Sequence, residues 1–349
     1  MITEIVKIDP NDPEASFDVI KKAASIITSG GLVVFPTETV YGLGADGTNA
    51  KAASKIYEAK GRPSDNPLII HLSSPEEAEN YTYTNDTYYR LASRFMPGPL
   101  TVILKAKEII PGETRAFLPT VAVRCPENRI ARALICAAGK PIAAPSANLS
   151  GSPSPTNAAH VCDDMKGRVD MIIDGGDCDI GVESTIVKIE DDNSLTLLRP
   201  GRITPEQLSL IAPLNIADAV VDKLREGEKV ISPGMKYRHY APKAPLALLE
   251  GDLDSIIAFL LEEPSKKIAL ICYNEDEKYI REKLKDVCLY MIGDRLDEET
   301  QAKRLFSILR EVDKRNFDMI YAPLPKKNGL GLALYNRMIR AAAHRIIKL

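Results

Sequence analysis

One stretch of the chain concentrates side chains that could hold an anionic ligand. The segment KGRPSDNPLIIH, residues 60–71, places Lys60, Arg62, Asn66 and His71 between the end of a predicted helix and a predicted strand. A guanidinium can bind phosphate oxygens through two parallel hydrogen bonds, and an ammonium can add a point charge beside it. The same residue types are common at the C-terminal ends of helices, where they bind the last carbonyl groups. Both interpretations stay open from this segment alone.

A second candidate segment is rich in small hydroxyl side chains. PIAAPSANLSGSPSPT, residues 141–156, contains an apolar run and then carries Ser146, Asn148 and Ser154 among its polar residues. Hydroxyl groups and exposed backbone N–H groups suit an anion or a nucleotide. Because Ser, Asn, Gly and Pro are also the ordinary residues of turns, a plain turn-rich loop is the alternative.

Two glycine-rich strings imitate nucleotide-binding motifs without their context. Gly42–Gly47 fits the letters G-x-G-x-x-G, but it begins six positions after the end of the preceding predicted strand, and the later strand ends at His71 instead of an acidic residue. Gly176–Gly181 begins like a phosphate loop but continues as Val182-Glu183, where Lys and then Ser or Thr are needed. Neither a dinucleotide-binding enzyme nor a Walker-type ATPase is therefore expected.

The elements that must position these groups form a mixed α/β pattern. Residues 16–29 have helical spacing and end at Gly30-Gly31. They are followed by the strand LVVFP, the loop TETVYGLGADGT, a helix near 49–60 and the strand PLIIHLS. Further short apolar runs come next with few helices between them, at 100–106, 121–126, 141–147, 171–176, 184–190 and 195–201. We predict an N-terminal domain over residues 1–205, with helices and a broad, twisted sheet.

The pattern changes after residue 205. Helical spacing near 205–211 and 216–226 is followed by the Pro- and Gly-bearing stretch SPGMKYRHYAPKAP, and we interpret residues 206–244 as a linker. From 245 to 349 the strands LALLE, KIALICY, VCLYMIG and FDMIYAP alternate with predicted helices at 252–263, 275–285, 297–315 and 329–346. This alternation predicts a smaller C-terminal, doubly wound, Rossmann-like domain with a parallel sheet.

Composition narrows the class of protein. A chain of 349 residues with 45% hydrophobic residues suits two domains with sizeable cores. No window approaches the ~18 apolar residues of a membrane span, and MITEIVKIDPNDPE lacks a basic stretch followed by an apolar one. We therefore expect no membrane contact and a cytoplasmic location. Six cysteines without a C-x-x-C pair, beside four histidines, make a zinc site or a disulfide framework unexpected.

Charge is distributed unevenly along the chain. The net charge of −3 argues against a protein that coats nucleic acid. Residues 301–349, however, hold 11 Lys and Arg against 3 Asp and Glu. A weak contact with RNA phosphates is one interpretation of this segment, and a basic solvated helix face is the other.

Eight motifs, in their order and spacing, resemble the YrdC-like family: PTETVYGLGADG, KGRPSDNPL, MPGPLTVIL, VAVRCP, APSANLSG, ESTIV, LLRPG and SPGMKYRHYAP. The resemblance spans essentially the whole chain. The linker and the second domain match the long, two-domain form of the threonylcarbamoyl-AMP synthases.

The resemblance implies a nucleotidyltransferase that condenses L-threonine, bicarbonate and ATP into threonylcarbamoyl-AMP and pyrophosphate, with magnesium carried by ATP and no metal ligands from the protein. A separate transferase would then modify an adenosine of tRNA. The family's Lys-x-Arg pair falls on Lys60 and Arg62, which are expected to be catalytic. L-threonine contacts fall on Thr39, His71, Arg124, Ala144 and Ser184, and ATP contacts on Arg62, Asn66, Thr120, Ser146, Asn148, Ser154, Arg199 and Tyr237.

The linker around Tyr237 is polar, aromatic and long enough to fold back over a cleft, so we predict a lid that excludes water. One rival hypothesis is an RNA-binding module without synthase activity, motivated by the basic stretches 101–150 and 301–349. Another makes the first domain a carbamoyl-transfer part of a larger enzyme. The sequence lacks the acylphosphatase-like and zinc-knuckle segments that such an enzyme would carry.

Overall fold

The computed structural model describes residues 1–222, 240–263 and 267–349. These residues separate into two compact units. Residues 1–150 and 154–222 belong to the first, and residues 151–153, 240–263 and 267–349 belong to the second.

Within the described residues, twelve strands form the sheet of the first unit. Their bounds are β1 Glu4–Lys7, β2 Val33–Phe35, β3 Gly42–Asp46, β4 Ile69–His71, β5 Thr82–Tyr83, β6 Leu100–Ala106, β7 Thr120–Arg124, β8 Ile142–Ala143, β9 Met171–Asp174, β10 Thr185–Ile189, β11 Leu195–Arg199 and β12 Leu214–Ile216. Their order is β1-β9-β2-β3-β8-β4-β7-β6-β10-β11-β12, with β5 paired to β6. Strand β4 is parallel to β7 but antiparallel to β8, so the predicted mixed sheet is confirmed.

The helices of the first unit begin and end where local chemistry dictates. They are α1 Phe17–Thr28, α2 Ala50–Lys60, α3 Ala78–Tyr81, α4 Asp86–Phe95, α5 Gly112–Arg115, α6 Arg129–Ala138, α7 Ala158–Met165 and α8 Pro205–Ser209. Four of them start at an asparagine whose side chain accepts a backbone N–H, at Asn49, Asn85, Asn128 and Asn157. Helix α2 ends at Gly61, whose φ of 60° few other residues adopt at low cost. This cap sets the direction in which the chain leaves Lys60.

Two apolar clusters are resolved among the described residues of the first unit. The larger joins α1 and α6 to β2, β8 and β9 through fully buried residues such as Ile27, Leu134 and Ile173. The smaller consists of Ile69, Ile103, Ala122, Ile186 and Leu198, which come from β4, β6, β7, β10 and β11. The candidate site lies next to this smaller cluster, on the same strands.

Residues 42–46 correct one prediction. They were predicted to lie in a loop but form the buried strand β3 between β2 and β8. A Cβ atom on Gly44 would lie 2.7 Å from the ring of Phe35 and 2.8 Å from Cγ2 of Ile142. The glycines of the G-x-G string are therefore explained by close packing against the sheet's own side chains.

The chain continues the first sheet beyond residue 205. Strand β12 lies in the segment interpreted as a linker and pairs with β11. The helix predicted over 216–226 is wrong in its described part, because Leu214–Ile216 is a strand and only a short 3-10 turn follows at Asp218–Val220. The predicted lid residues 223–239 lie outside the described residues.

The second unit contains a parallel five-stranded sheet within its described residues. Its elements are β13 Leu246–Glu250, α9 Leu253–Glu262, β14 Ile268–Cys272, α10 Glu277–Lys283, β15 Val287–Met291, α11 Glu298–Val312, β16 Met319–Pro323, α12 Gly331–Ala341 and β17 Ile346–Lys348. The order β15-β14-β16-β13-β17 confirms the predicted parallel, Rossmann-like α/β fold. The helix predicted over 329–346 is too long, since it ends at Ala341 and β17 follows. Across the described chain, no helix is long and apolar enough to cross a membrane.

Candidate active site

The candidate site lies along the row of strands β4, β7, β6, β10 and β11. Side chains two positions apart on a strand point to the same face. Ile69 and His71 therefore share a face on β4, as Ala122 and Arg124 do on β7. The register places His71 beside Arg124, and Arg124 beside Thr101 of β6. At one end of the row, the apolar side chains of the cluster are thus followed by the polar side chains of His71, Arg124 and Thr101.

Arg124 is a buried cation with one side-chain partner in the part of the chain that the structure describes. It is 4% exposed, and its Nη2 donates a 2.6 Å hydrogen bond to Oε1 of Glu38, which is itself 4% exposed. Oε2 of Glu38 accepts the backbone N–H of Glu127 at 3.2 Å. The Nε atom of Arg124 is buried without a hydrogen-bond partner among the described residues. A buried donor without an acceptor costs about 1–3 kcal/mol, which a bound carboxylate would recover.

His71 is buried beside this guanidinium and is neutral. Its Nδ1 lies 3.3 Å from the carbonyl oxygen of Ile142. Because a carbonyl only accepts, Nδ1 carries the proton and Nε2 is left as an acceptor. Burial first, and then the charge of Arg124, lower the pKa of His71 to about 3. The ring can therefore accept a hydrogen bond from an amine or a hydroxyl at neutral pH.

The lowered pKa of His71 predicts a loss of stability in mild acid. The unfolded chain takes up a proton below a pKa near 6.5, whereas the folded chain excludes it until about pH 3. The stability that the neutral imidazole contributes is therefore fully present above about pH 6.5. Below that pH the free energy of unfolding falls by up to about 1.4 kcal/mol per pH unit. Between pH 7 and pH 5 the wild type should lose about 2 kcal/mol more than His71→Asn in urea unfolding. Equal losses in both proteins would contradict this assignment, and His344→Gln, at a partly buried histidine elsewhere, serves as the control.

Ser184 and Arg199 complete the same end of the row. The Ser184 hydroxyl is fully buried and lies 2.7 Å from Oγ1 of Thr101. Nε of Arg199 donates to the carbonyl of Ser184 and Nη2 to its hydroxyl, both at 3.0 Å. The structure thus brings together His71, Arg124, Ser184 and Arg199, which the sequence had only placed in separate motifs.

Lys60 and Arg62 hold the backbone of two loops. Lys60 is 2% exposed, and its Nζ donates to the carbonyl oxygens of Ser146 and Asn148, with Oδ1 of Asn148 at 3.4 Å. The partly buried Arg62 donates through Nη2 to the carbonyls of Asn66 and Pro67 at 3.3 Å each. The two cations predicted to be catalytic therefore order the segments that carry other predicted ligand residues.

Three residues predicted for ATP, Asn66, Thr120 and Ser146, lie at the end of the strands opposite His71 and Arg124, whereas Arg199, also predicted for ATP, lies beside Ser184 at the Arg124 end. Thr120 begins β7 and Arg124 ends it, so about 13 Å separates them along the strand. Asn66 precedes β4 and His71 ends it. Since β8 runs antiparallel to β4, Ser146 after β8 lies toward the Asn66 end. Buried polar atoms without a partner mark both ends, Oδ1 of Asn66 at one and Nε of Arg124 at the other.

The remaining predicted residues are buried and hydrogen-bonded. The Thr39 hydroxyl lies 2.9 Å from that of Thr37, the Ala144 N–H donates to Ile69 at 2.9 Å, and Ser154 donates to Oε1 of Glu183 at 2.6 Å. Asn148 contacts Lys60 as described, and Tyr237 lies outside the described residues.

Sequence reasoning missed two buried carboxylates, Glu38 and Glu183. Both stand in motifs that were recognised, TETV and ESTIV, and each is followed by a small hydroxyl residue. An acidic residue directly before a small hydroxyl residue, within a recognised motif, was the signal that could have indicated each of these buried carboxylates. In the ranges 1–222, 240–263 and 267–349, no group of three or more His, Cys, Asp or Glu could hold a metal ion.

Within the described residues, a mixed α/β sheet carries buried cations at both ends of one strand row, with an unpartnered donor at Arg124 Nε and an unpartnered acceptor at Asn66 Oδ1, and this arrangement suits a polar, charged ligand. Comparison with known proteins identifies the family. The Sua5/YciO/YrdC family model, described as telomere recombination, matches residues 25–201, and the model described as threonylcarbamoyl-AMP synthase, C-terminal domain, matches residues 203–343. The chain belongs to the two-domain threonylcarbamoyl-AMP synthase family.

Two relatives and one solved structure illustrate the match. The threonylcarbamoyl-AMP synthase of Bacillus subtilis is 43% identical over 347 residues, which cover 98% of this chain and 96% of that protein. The corresponding protein of Pyrococcus abyssi is 43% identical over 94% of this chain and 95% of its own length. The crystal structure of P. abyssi Sua5 complexed with L-threonine superposes with a TM-score of 0.86 at 41% identity, over 100% of both chains. The predicted family, fold and synthase function are confirmed.

Proposed function

We propose that this chain performs the family reaction at the strand row described above. The threonine amine and bicarbonate form a carbamate with loss of water. A carbamate oxygen then attacks the α-phosphorus of ATP, and pyrophosphate leaves in line from the opposite side. The products are threonylcarbamoyl-AMP and pyrophosphate. The supporting observation is the pair of buried unpartnered atoms, Arg124 Nε and Asn66 Oδ1, at the two ends of the row.

The Arg124 end is proposed to bind L-threonine. A guanidinium with a buried unpaired N–H suits the amino-acid carboxylate, which can take two parallel hydrogen bonds. The neutral Nε2 of His71 is available to accept from the amine, which must lose its ammonium proton before it can form a carbamate. Because the pKa of His71 is far below that of an amine, the ring acts as an acceptor that positions the neutral amine. Thr39, Ala144 and Ser184 are proposed to close the walls around it.

The opposite end is proposed to bind ATP. The amide of Asn66 has a free acceptor for a donor group of the nucleotide, and Ser146 and Thr120 lie at the same end. Lys60 and Arg62 hold the loops and place positive charge beside the phosphates and the carbamate. Arg199, which lies beside Ser184 at the Arg124 end, is proposed to bring a further cation to the point where the α-phosphate reaches the carbamate. Such fixed charges stabilise a transition state without the reorganisation that water would need.

Magnesium is proposed to enter with ATP, coordinated by triphosphate oxygens, as is usual for this hard cation. It would help to neutralise the leaving pyrophosphate. The protein's own part is to hold the three anionic reactants together against their mutual repulsion.

One assay tests the proposed reaction. The full chain is incubated with ATP, magnesium and bicarbonate, with and without L-threonine, and pyrophosphate and the nucleotide product are measured. We expect pyrophosphate release that depends on both L-threonine and bicarbonate, with equimolar threonylcarbamoyl-AMP. Release that is independent of threonine, or salt-dependent RNA binding without any turnover, would refute the proposal in favour of an RNA-binding module.

The partners remain part of the proposal. A separate transferase that uses the adenylate on tRNA is expected downstream, and a weak direct contact with RNA through 301–349 stays a prediction, as does the cytoplasmic location. The lid predicted around Tyr237 falls outside the described residues and stays a prediction.

A further inference from the structure

Glu38 is held in place by three residues from two separate segments of the first unit. Its Oε1 accepts from Arg124 Nη2 at 2.6 Å, and its Oε2 accepts from the Glu127 N–H at 3.2 Å. Its backbone carbonyl accepts the N–H of Ile180 at 2.9 Å. With 4% of its surface exposed, the side chain is fixed at both carboxylate oxygens.

Arg124 depends on this carboxylate more than an exposed arginine would. Its side chain is 5% exposed, and Glu38 is the hydrogen-bond partner of its guanidinium within the described residues. The bond engages Nη2 alone, whereas Nε of the same planar group is buried without a partner. One nitrogen of the fork is therefore anchored by the protein while another is presented unpaired.

We propose that Glu38 is the positioning residue that sets the guanidinium of Arg124 for the amino-acid carboxylate. The inference rests on the proposed function, because it assumes that L-threonine binds at this end of the row. Glu38 balances the charge of Arg124 in the absence of ligand and fixes the plane of the fork, so that little rotamer entropy is lost on binding. Glu38 acts through Arg124 and does not itself bond the substrate carboxylate, since two carboxylates repel each other.

The hydrogen-bond pattern explains why a carboxylate is needed here. Two donors, Arg124 Nη2 and the Glu127 N–H, face two acceptor oxygens. In Glu38→Gln the amide offers one acceptor and one donor, so one of the two donors loses its partner and meets an N–H instead. Glu38→Asp keeps both acceptors but retracts them by one methylene group.

The test measures binding of L-threonine and of L-threonine amide, which lacks the carboxylate, to the full-length chain by calorimetry. For Glu38→Gln we expect L-threonine affinity to fall at least tenfold, while the affinities for L-threonine amide and for a non-hydrolysable ATP analogue change less than twofold. In steady-state assays the KM for L-threonine should rise by the same factor, with kcat within threefold of wild type. Glu38→Asp should show a smaller loss with the same selectivity, and carries the test if Glu38→Gln does not fold.

The matched control is Glu14→Gln. Glu14 pairs with Arg129 at 3.0 Å, but the side chains are 73% and 54% exposed, so no ligand affinity should change. Equal losses for L-threonine and its amide would show a merely structural role, and unchanged L-threonine affinity would show no role; either result overturns the inference. A wild-type chain that binds no L-threonine would instead overturn the proposed function, and this inference with it.

Discussion

Replacement of Arg124 by alanine is expected to lower kcat/KM for L-threonine by about 100- to 1,000-fold. The substitution removes the donor proposed for the substrate carboxylate, and it also leaves the Glu38 carboxylate buried without a cation. Breaking a buried pair in this way costs about 3–5 kcal/mol, so part of the effect will appear as lost stability. The measurement is threonine-dependent pyrophosphate release, with thermal unfolding recorded in parallel.

A double variant separates binding from folding. In Arg124→Ala/Glu38→Gln the uncompensated carboxylate is gone, so we expect most of the stability to return while L-threonine affinity stays lost. Arg129→Ala is the control, because Arg129 forms an exposed pair with Glu14. Full activity of Arg124→Ala, or recovery of threonine affinity in the double variant, would rule out the carboxylate assignment.

Replacement of Lys60 by methionine is expected to lower kcat/KM for ATP by about 100-fold or more. Methionine keeps an apolar stem of similar length but cannot donate to the carbonyls of Ser146 and Asn148. Each lost hydrogen bond to a charged donor is worth about 1.5–3 kcal/mol, so the loop that carries Ser146 should lose its fixed position. The positive charge proposed to face the phosphates is lost at the same time. The dissociation constant of a non-hydrolysable ATP analogue and the rate of pyrophosphate release report both effects.

The Lys60 effect should be confined to the nucleotide end. L-threonine affinity is expected to change less than threefold, because Arg124 lies at the other end of the strands. Lys51→Met on the same helix is the control, since Lys51 is exposed. A Lys60→Met protein with unchanged ATP kinetics would refute the role of this cation, and one that lost threonine and ATP binding equally would point to general misfolding.

The sequence predicted the strands whose buried residues are mostly apolar, such as β6 and β14, because burial on both faces leaves a clear signal. It failed at β3, where Gly42 and Gly44 read as a loop. Glycine occupies these two positions because the ring of Phe35 packs where their side chains would be. It also failed at 216–226, where the helical spacing could not reveal that residues 214–216 complete a sheet edge. In both places tertiary packing overrode the local pattern.

In the site, too, the residue types could be predicted from the sequence, but their contacts could not. Resemblance identified Arg124 and His71, but their adjacency follows from the pairing of β4 with β7, which no local pattern encodes. Glu38 escaped notice because its partner lies 86 positions away. Lys60 was predicted to face phosphates, yet its contacts with loop carbonyls become visible only once α2 and the segment after β8 are folded together.

The first strand of the chain pairs with the ninth, and the Thr3 hydroxyl donates to the carbonyl of Val169, 166 positions away. On a translating ribosome this strand emerges roughly ten to thirty seconds before its partner, at the usual speed of synthesis of about 5–20 residues per second. Throughout that interval β1 and one edge of β2 expose unpaired backbone groups. The nascent N-terminal segment is thus expected to rely on a chaperone, or on slow collapse, until β9 leaves the exit tunnel.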